Sequence, residues 1–176
     1  DPLNVSEMTV TGNTWTDLTT GAGKYIVFDE YSYLAPTRIE PIANQDLHGA
    51  AQADLVIVTL EAYREQAQRL ATLHEVFDGF TTLVVSDQEV FNEYSSGKKD
   101  PMAIRSLLRD LKARHAARPP RYAILFGKGT YDNRNLLGSS IPTMVTYETP
   151  YSFDSEGSSY ASDDMLGYLA PDGRGT

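Results

Sequence analysis

"DLVIVTL", residues 54–60, is a short unbroken apolar run dominated by β-branched side chains. A strand with one wet face alternates apolar and polar residues. A continuous run of this length is instead the mark of a strand covered on both faces, as in a parallel sheet flanked by helices. The next residues fit that reading. Tyr63, Ala67, Leu70, His74 and Phe77 recur at spacings of four and three, one face of a helix. Asp78-Gly79 closes it, with glycine suited to the C-terminal cap. "TTLVVS", 81–86, predicts a second strand, and Asp87 is the expected cap of a short helical turn through Tyr94.

After the loop "SSGKK", Asp100 is a good N-cap and Pro101 suits the first helical position. Ile104, Leu107, Leu108, Leu111 and His115 form the apolar stripe of this helix. Lys112, Arg114 and Arg118 lie towards its C-terminus, where the helix dipole favours cations, and Pro119-Pro120 stops it. "RYAILFGKGTYDNR", 121–134, then supplies a third strand running into a glycine-hinged loop. Strand, helix, strand, helix, strand with crossovers of this length predicts parallel strands in a doubly wound α/β sheet.

The flanks read differently. Residues 1–23, with Trp15 and alternations such as Met8-Thr9-Val10, suggest edge strands and loops, and "KYIVFDEYSYL", 24–34, a strand and turn. Residues 35–53 form an irregular connector. Beyond residue 130 the chain is loop-rich, with strands expected at Ile141 to Tyr147 and Met165 to Leu169 and a long polar loop at 152–164. The first residues carry no initiator Met and the last, Pro171 to Thr176, make a Gly-rich turn, so both ends are expected to be cuts in a longer chain.

Composition narrows the function. The 176 residues are 41% hydrophobic and 22% charged, enough for a substantial core. The net charge of −9 argues against nucleic acid as a partner, which calls for clustered Lys and Arg. No apolar run approaches the ~20 residues of a membrane-spanning helix. With no cysteine, the chain has no disulfide, no zinc–thiolate site and no cysteine nucleophile of its own.

Gly127-Lys128-Gly129-Thr130 invites a phosphate reading, but a P-loop needs a glycine where Tyr122 stands and a hydroxyl residue directly after the lysine. A tight exit turn is the simpler reading. There is no G-x-S-x-G elbow. His74 and His115 sit on apolar helix faces and read as packed histidines, whereas His48, in "NQDLHG", reads as a hydrogen-bonding anchor of the connector. Asp163, Asp164 and Asp172, with Asp154 and Glu156 upstream, offer oxygen ligands for calcium, although a solvated acidic loop explains them as well.

The ordered phrases carry a further signal. "NQDLHG", "ADLVIVT", "VFNEYSSGKKDPMAIRSLL", "RYAILFGKGTYDNR" and "SYASDDMLGYL" together resemble the gingipain-type cysteine peptidases. The resemblance runs from about residue 40 to the end. It rests on the N-E-Y-S-S-G-x-x-D-P-x-A-I-R run, the L-F-G-x-G-x-Y-D strand exit and the S-D-D-x-x-G phrase. It implies a caspase-like parallel sheet flanked by helices, with only the first sub-domain of the peptidase present at 40–176 and residues 1–39 the tail of a preceding β-rich region. In this family the catalytic His and Cys come from the following sub-domain, so the resemblance implies no catalytic residue in this chain. In relatives an Asp usually follows the strand-exit glycine and helps hold calcium. Here the position is Lys128, and a cation does not ligate a cation. The resemblance therefore implies that the calcium site is altered or lost. Asp172 remains a candidate ligand, and the Lys128 ammonium is expected to replace the metal by pairing with Asp163, Asp164 or Asp172.

Within the family the similarity points to the cell-surface sortases of type IX secretion, which remove C-terminal sorting domains from secreted cargo. The implied location is the outer-membrane surface, reached by secretion across the inner membrane. The implied partners are the downstream catalytic sub-domain, cargo proteins and other secretion components. Two alternatives stay open: a degenerate, non-catalytic secretion scaffold, and a flavodoxin-like small-molecule binding domain.

Overall fold

The computed structural model describes residues 39–149 and 161–169, together with Gly12, Thr14, Tyr25, Tyr31 and residues 34–36. The expected strand at 24–34 lies almost wholly outside these residues, as do Met8-Thr9-Val10 and Trp15. The chain divides into two compact units, Asp1–Ile42 and Ala43–Thr176. The second holds a three-stranded, all-parallel sheet in the order β2-β1-β3, flanked by helices. This is the caspase-like arrangement expected from the sequence.

Strand β1, Leu55–Thr59, is the central strand and is buried at every residue. Its side chains alternate between two cores. Leu55 and Ile57 meet Ala67 and Ala71 of α1, Arg64–Asp78, which comes after a short 3₁₀ turn, Glu61–Tyr63. The two alanines let the helix approach the sheet closely. Gly79 ends α1 in the left-handed conformation (φ 66°), where a glycine avoids the steric cost of a Cβ. Phe77 does not join the buried face as the spacing predicts. It is 79% exposed, on the outer side of the helix with Val76.

On the other face, Val56 and Val58 pack with α2, Asp87–Tyr94, and α3, Pro101–Arg114. Strand β2, Thr82–Ser86, pairs with β1 in the register Leu55↔Thr82 to Thr59↔Ser86, and runs directly into α2. The cap of α2 is Ser86 rather than the expected Asp87. The Glu89 N–H donates to the Ser86 hydroxyl (3.2 Å) and the Ser86 N–H to the Glu89 carboxylate (2.8 Å), a reciprocal capping box. Helix α3 behaves as its sequence suggests: the Met102 N–H donates to Asp100, and Ile104, Leu107, Leu108 and Leu111 are buried.

Strand β3, Tyr122–Phe126, pairs with the other edge of β1. One buried carboxylate ties the amino ends of all three strands together. Asp54 accepts from the Thr81 N–H (2.9 Å), the Thr81 hydroxyl (2.9 Å) and the Arg118 guanidinium, while its backbone oxygen accepts from the Arg121 and Tyr122 N–H groups. The Thr81 N–H is the largest influence on its titration. With the Thr81 hydroxyl, Arg118 and Gln52 it outweighs burial and holds the Asp54 carboxyl well below the usual carboxylate range.

Two expectations for the loop-rich end are corrected. Residues 141–147 form no strand; Met144 makes a single parallel bridge to Gly129. Met165 to Leu169 is not a strand either. Asp164–Gly167 is a short helix, α4, whose Leu166 is buried against the α2–α3 core.

Candidate functional site at the carboxyl ends of the strands

Open α/β sheets bind ligands beyond the carboxyl ends of their strands. Here those ends carry Thr59, Ser86 and the Gly127-Lys128-Gly129-Thr130 exit. The fold itself consumes the first two. The Thr59 hydroxyl donates to the Phe126 carbonyl (2.9 Å), tying β1 to β3, and Ser86 caps α2. Glu89, which completes that cap, also receives Arg64 Nη2 at 2.6 Å. Burial would raise the Glu89 carboxyl, but the Ser86 N–H and the Arg64 guanidinium outweigh it and hold it below its usual value.

The two glycines of the exit answer to packing. The chain returns alongside them, and the Met144 N–H donates to the Lys128 carbonyl (2.9 Å). A Cβ on Gly129 would stand 2.7 Å from Thr146 Cγ2, and one on Gly127 would stand 3.0 Å from Met144 Cγ. Thr146 is fixed by its own hydroxyl, which donates to the Thr130 carbonyl (2.6 Å). Asn133 completes the brace: its Oδ1 accepts from the Thr146 N–H (3.0 Å), and its Nδ2 donates to the Thr146 carbonyl (2.9 Å) and to Glu148 (3.0 Å). The G-K-G-T stretch is therefore a tightly covered exit turn, not a phosphate cradle.

Of the predicted site residues, Lys128, Asp163 and Asp164 lie among the described residues. Among the described residues no ion pair joins Lys128 to Asp163 or Asp164. Asp163 stands at the N-cap of α4 without a side-chain capping bond, and Asp164 lies in its first turn. Asp172, Asp154 and Glu156 lie outside the described residues. Among the described residues no group of three or more His, Asp or Glu is placed to hold a metal ion. At Lys128 the ammonium offers no ligand to a cation. The S-D-D-x-x-G phrase instead docks the chain on α3, where Arg105 Nε donates to the Tyr168 carbonyl (2.7 Å).

The histidines are engaged within the fold. His74 Nδ1 lies 2.6 Å from Asp78, and His115 Nε2 lies 3.2 Å from the Ala50 carbonyl. His48 packs against Tyr94 with the rings tilted by 51° and their centroids 4.6 Å apart, and its Nδ1 lies 3.5 Å from Asp110. Around it Glu93 accepts from the Leu47 and His48 N–H groups and from Gln45, and Arg114 donates to the Leu47 and Ala50 carbonyls. His48 thus belongs to an anchor that fixes the connector on α2 and α3, as its sequence context suggests. Sequence reasoning missed the residues that organise this region: Asp54, Asn133, Thr146 and Arg105. Each works through a partner distant in the chain, and nothing local announces it.

With this geometry in place, the comparison with known families is decisive. The model of peptidase family C25 matches residues 48–175. The chain belongs to peptidase family C25, the gingipain family. Among solved structures, it is similar to the crystal structure of dimeric latent PorU from Porphyromonas gingivalis, at 32% sequence identity and a TM-score of 0.66. That match covers 73% of this chain but only 13% of the PorU chain, so the chain spans a small part of its relative's length. Among curated proteins none matches this chain. No described helix is long and apolar enough to cross a membrane.

Proposed function

We propose that this chain is the non-catalytic, structural half of a cell-surface cysteine peptidase of the sortase kind. The observation that carries the reading is a contrast. The chain has the C25 fold over most of its length, yet it contains no cysteine. A thiolate nucleophile must then come from another part of the polypeptide. The polar side chains at the strand ends support the same view, because Thr59, Ser86, Asn133 and Thr146 are spent on internal hydrogen bonds.

In this reading the complete protein works at the outer-membrane surface. Its cysteine, on a following sub-domain, attacks the peptide bond before the C-terminal sorting domain of a type IX secretion cargo. A thioester forms and the sorting domain leaves with the new amine. A surface lipopolysaccharide acceptor then takes the acyl group and frees the thiol. The half described here holds the following sub-domain through a rigid sheet. The likeness to PorU supports the assignment within the family, and the Lys128 exit argues against calcium serving this half.

The test uses the longer polypeptide that carries this chain. Treatment with a cysteine-directed electrophile is expected to add one label by intact mass and to abolish release of a cargo's sorting domain. A polypeptide that accepts no label and releases no sorting domain would make the protein a degenerate secretion scaffold instead.

A further inference from the structure

Strand β3 lies at the edge of the sheet but has the sequence of an interior strand. Residues 122–126, Tyr-Ala-Ile-Leu-Phe, are apolar at every position, the pattern of a parallel strand covered on both faces. Free sheet edges are guarded by charges, proline or a bulge, and β3 has none of these along its unbroken register with β1. Yet it is exposed at Tyr122 and Ala123 and only half-buried from Ile124 to Phe126, whereas β1 is buried throughout.

The backbone shows which groups remain open. The Tyr122 N–H donates to the Asp54 carbonyl (3.0 Å) and the Phe126 carbonyl accepts from the Thr59 hydroxyl, so Tyr122, Ile124 and Phe126 turn their backbone groups to β1. Successive residues of a strand face opposite edges, so the N–H and C=O of Ala123 and Leu125 point away from β1. Among the described residues they meet no backbone partner there. The opposite edge differs. On β2 the Ser86 N–H is taken by the Glu89 carboxylate (2.8 Å), and the Thr82 hydroxyl is tied to Glu75 of α1.

The side chains are left incomplete on the same side. Ile124 and Phe126 border the core under α1, and Leu125 the core under α2 and α3, and all three stay half-buried. Leu73 and Phe77 of α1 are exposed. At roughly 100° per residue each stands about 160° from Glu75, which marks the flank towards β2. The apolar flank of α1 is thus the one turned away from β2.

We propose that β3 pairs through Ala123 and Leu125 with a further extended strand, apolar on both faces, supplied by the longer polypeptide. The proposal rests on the reading of this chain as one part of that polypeptide, and it gives the edge at which the parts join. Open backbone groups at strand spacing select an extended segment over a helix or a small ligand. Half-covered side chains on both faces of β3 select apolar neighbours. The matched part is 13% of the PorU chain, so a relative in this family carries ample polypeptide to supply such a strand.

The test is hydrogen exchange resolved to single residues, on the 176-residue chain and on the longer polypeptide. In the 176-residue chain the Ala123 and Leu125 amides should exchange about 100-fold faster than that of Ile124, at every protein concentration. In the longer polypeptide they should slow to the rate of Ile124. Ala123→Pro removes an outward N–H and spares the bonds to β1, so it should lower the urea midpoint of the 176-residue chain less than Ile124→Pro does. In the longer polypeptide Ala123→Pro should return Leu125 to fast exchange. Fast exchange of Ala123 and Leu125 in both proteins would overturn the proposal. So would slow exchange in both, which puts the cover within this chain, or slowing that grows with the concentration of the 176-residue chain, which makes a second copy the occupant. A longer polypeptide that takes no cysteine label and releases no sorting domain would refute the peptidase reading alone, since the exchange pattern depends on neither.

Discussion

At the scale of single residues, the exit of β3 shows how sterics decide an identity that looks chemical. Gly129 is glycine because Thr146 Cγ2 occupies the place of its Cβ, 2.7 Å away. Thr146 cannot swing aside without breaking its hydroxyl bond to the Thr130 carbonyl. Gly129→Ala should therefore cost about 1–3 kcal/mol in urea denaturation. Thr146→Ser removes the clashing methyl and keeps the hydroxyl, so the double variant should recover most of that loss. Gly127→Ala meets Met144 Cγ at 3.0 Å, a longer contact than the 2.7 Å at Gly129, and should cost less. The turn was legible in the sequence from the two glycines, but their cause was not, since it lies some seventeen residues downstream on the returning chain. The same holds for Asp54. It reads locally as the polar start of a strand, and only the fold reveals that it meets Thr81 and Arg118.

At the scale of elements, β1, α3 and β3 were plain in the sequence because a continuous apolar run and a capped 3.6-residue stripe are local signals. The errors arose where tertiary packing chose among local options. Two adjacent residues, Ser86 and Asp87, can each cap α2. The chain uses Ser86, which leaves β2 in extended backbone and can pair reciprocally with Glu89. Ser86→Ala should cost about 1 kcal/mol in equilibrium unfolding. Asp87→Ala should cost less or even stabilise, since burial pushes the Asp87 carboxyl up. Helix α1 is legible in the sequence, but Phe77 leaves the face its spacing assigns. The inner side is set by Ala67 and Ala71, and at roughly 100° per residue Phe77 falls about 120° from Ala71. Around Met165 the few apolar residues fit a strand or a helical turn equally. Packing of Leu166 and the Arg105 bond to Tyr168 select the turn.

At the scale of the whole molecule, the acidic chain is held by carboxylates that must stay ionised. Asp54, Glu89, Glu93, Asp110 and Asp132 all have carboxyls held below their ordinary values in the fold. Such groups stabilise the fold fully above the unfolded carboxylate values of about 4 and lose that contribution as pH falls through the lower folded ones. Thermal stability should thus be nearly level from neutral pH to about 5 and drop steeply below about 4. Asp87, shifted upwards, opposes the trend in part. In Asp54→Asn the midpoint at neutral pH should fall by about 5–10 °C, and its decline in acid should be shallower, by differential scanning calorimetry.

The fold class and the family were legible because the C25 phrases occupy the strand exits and helix starts that build the sheet. The proposed division of labour between this chain and a longer polypeptide rests on the absence of cysteine from the sequence, and it can be tested directly. The 176-residue chain and the longer polypeptide would be incubated side by side with a cargo protein bearing a C-terminal sorting domain, and release of that domain followed by intact mass. The account predicts release by the longer polypeptide and none by the 176-residue chain. Release by the 176-residue chain alone, or by neither, would contradict it.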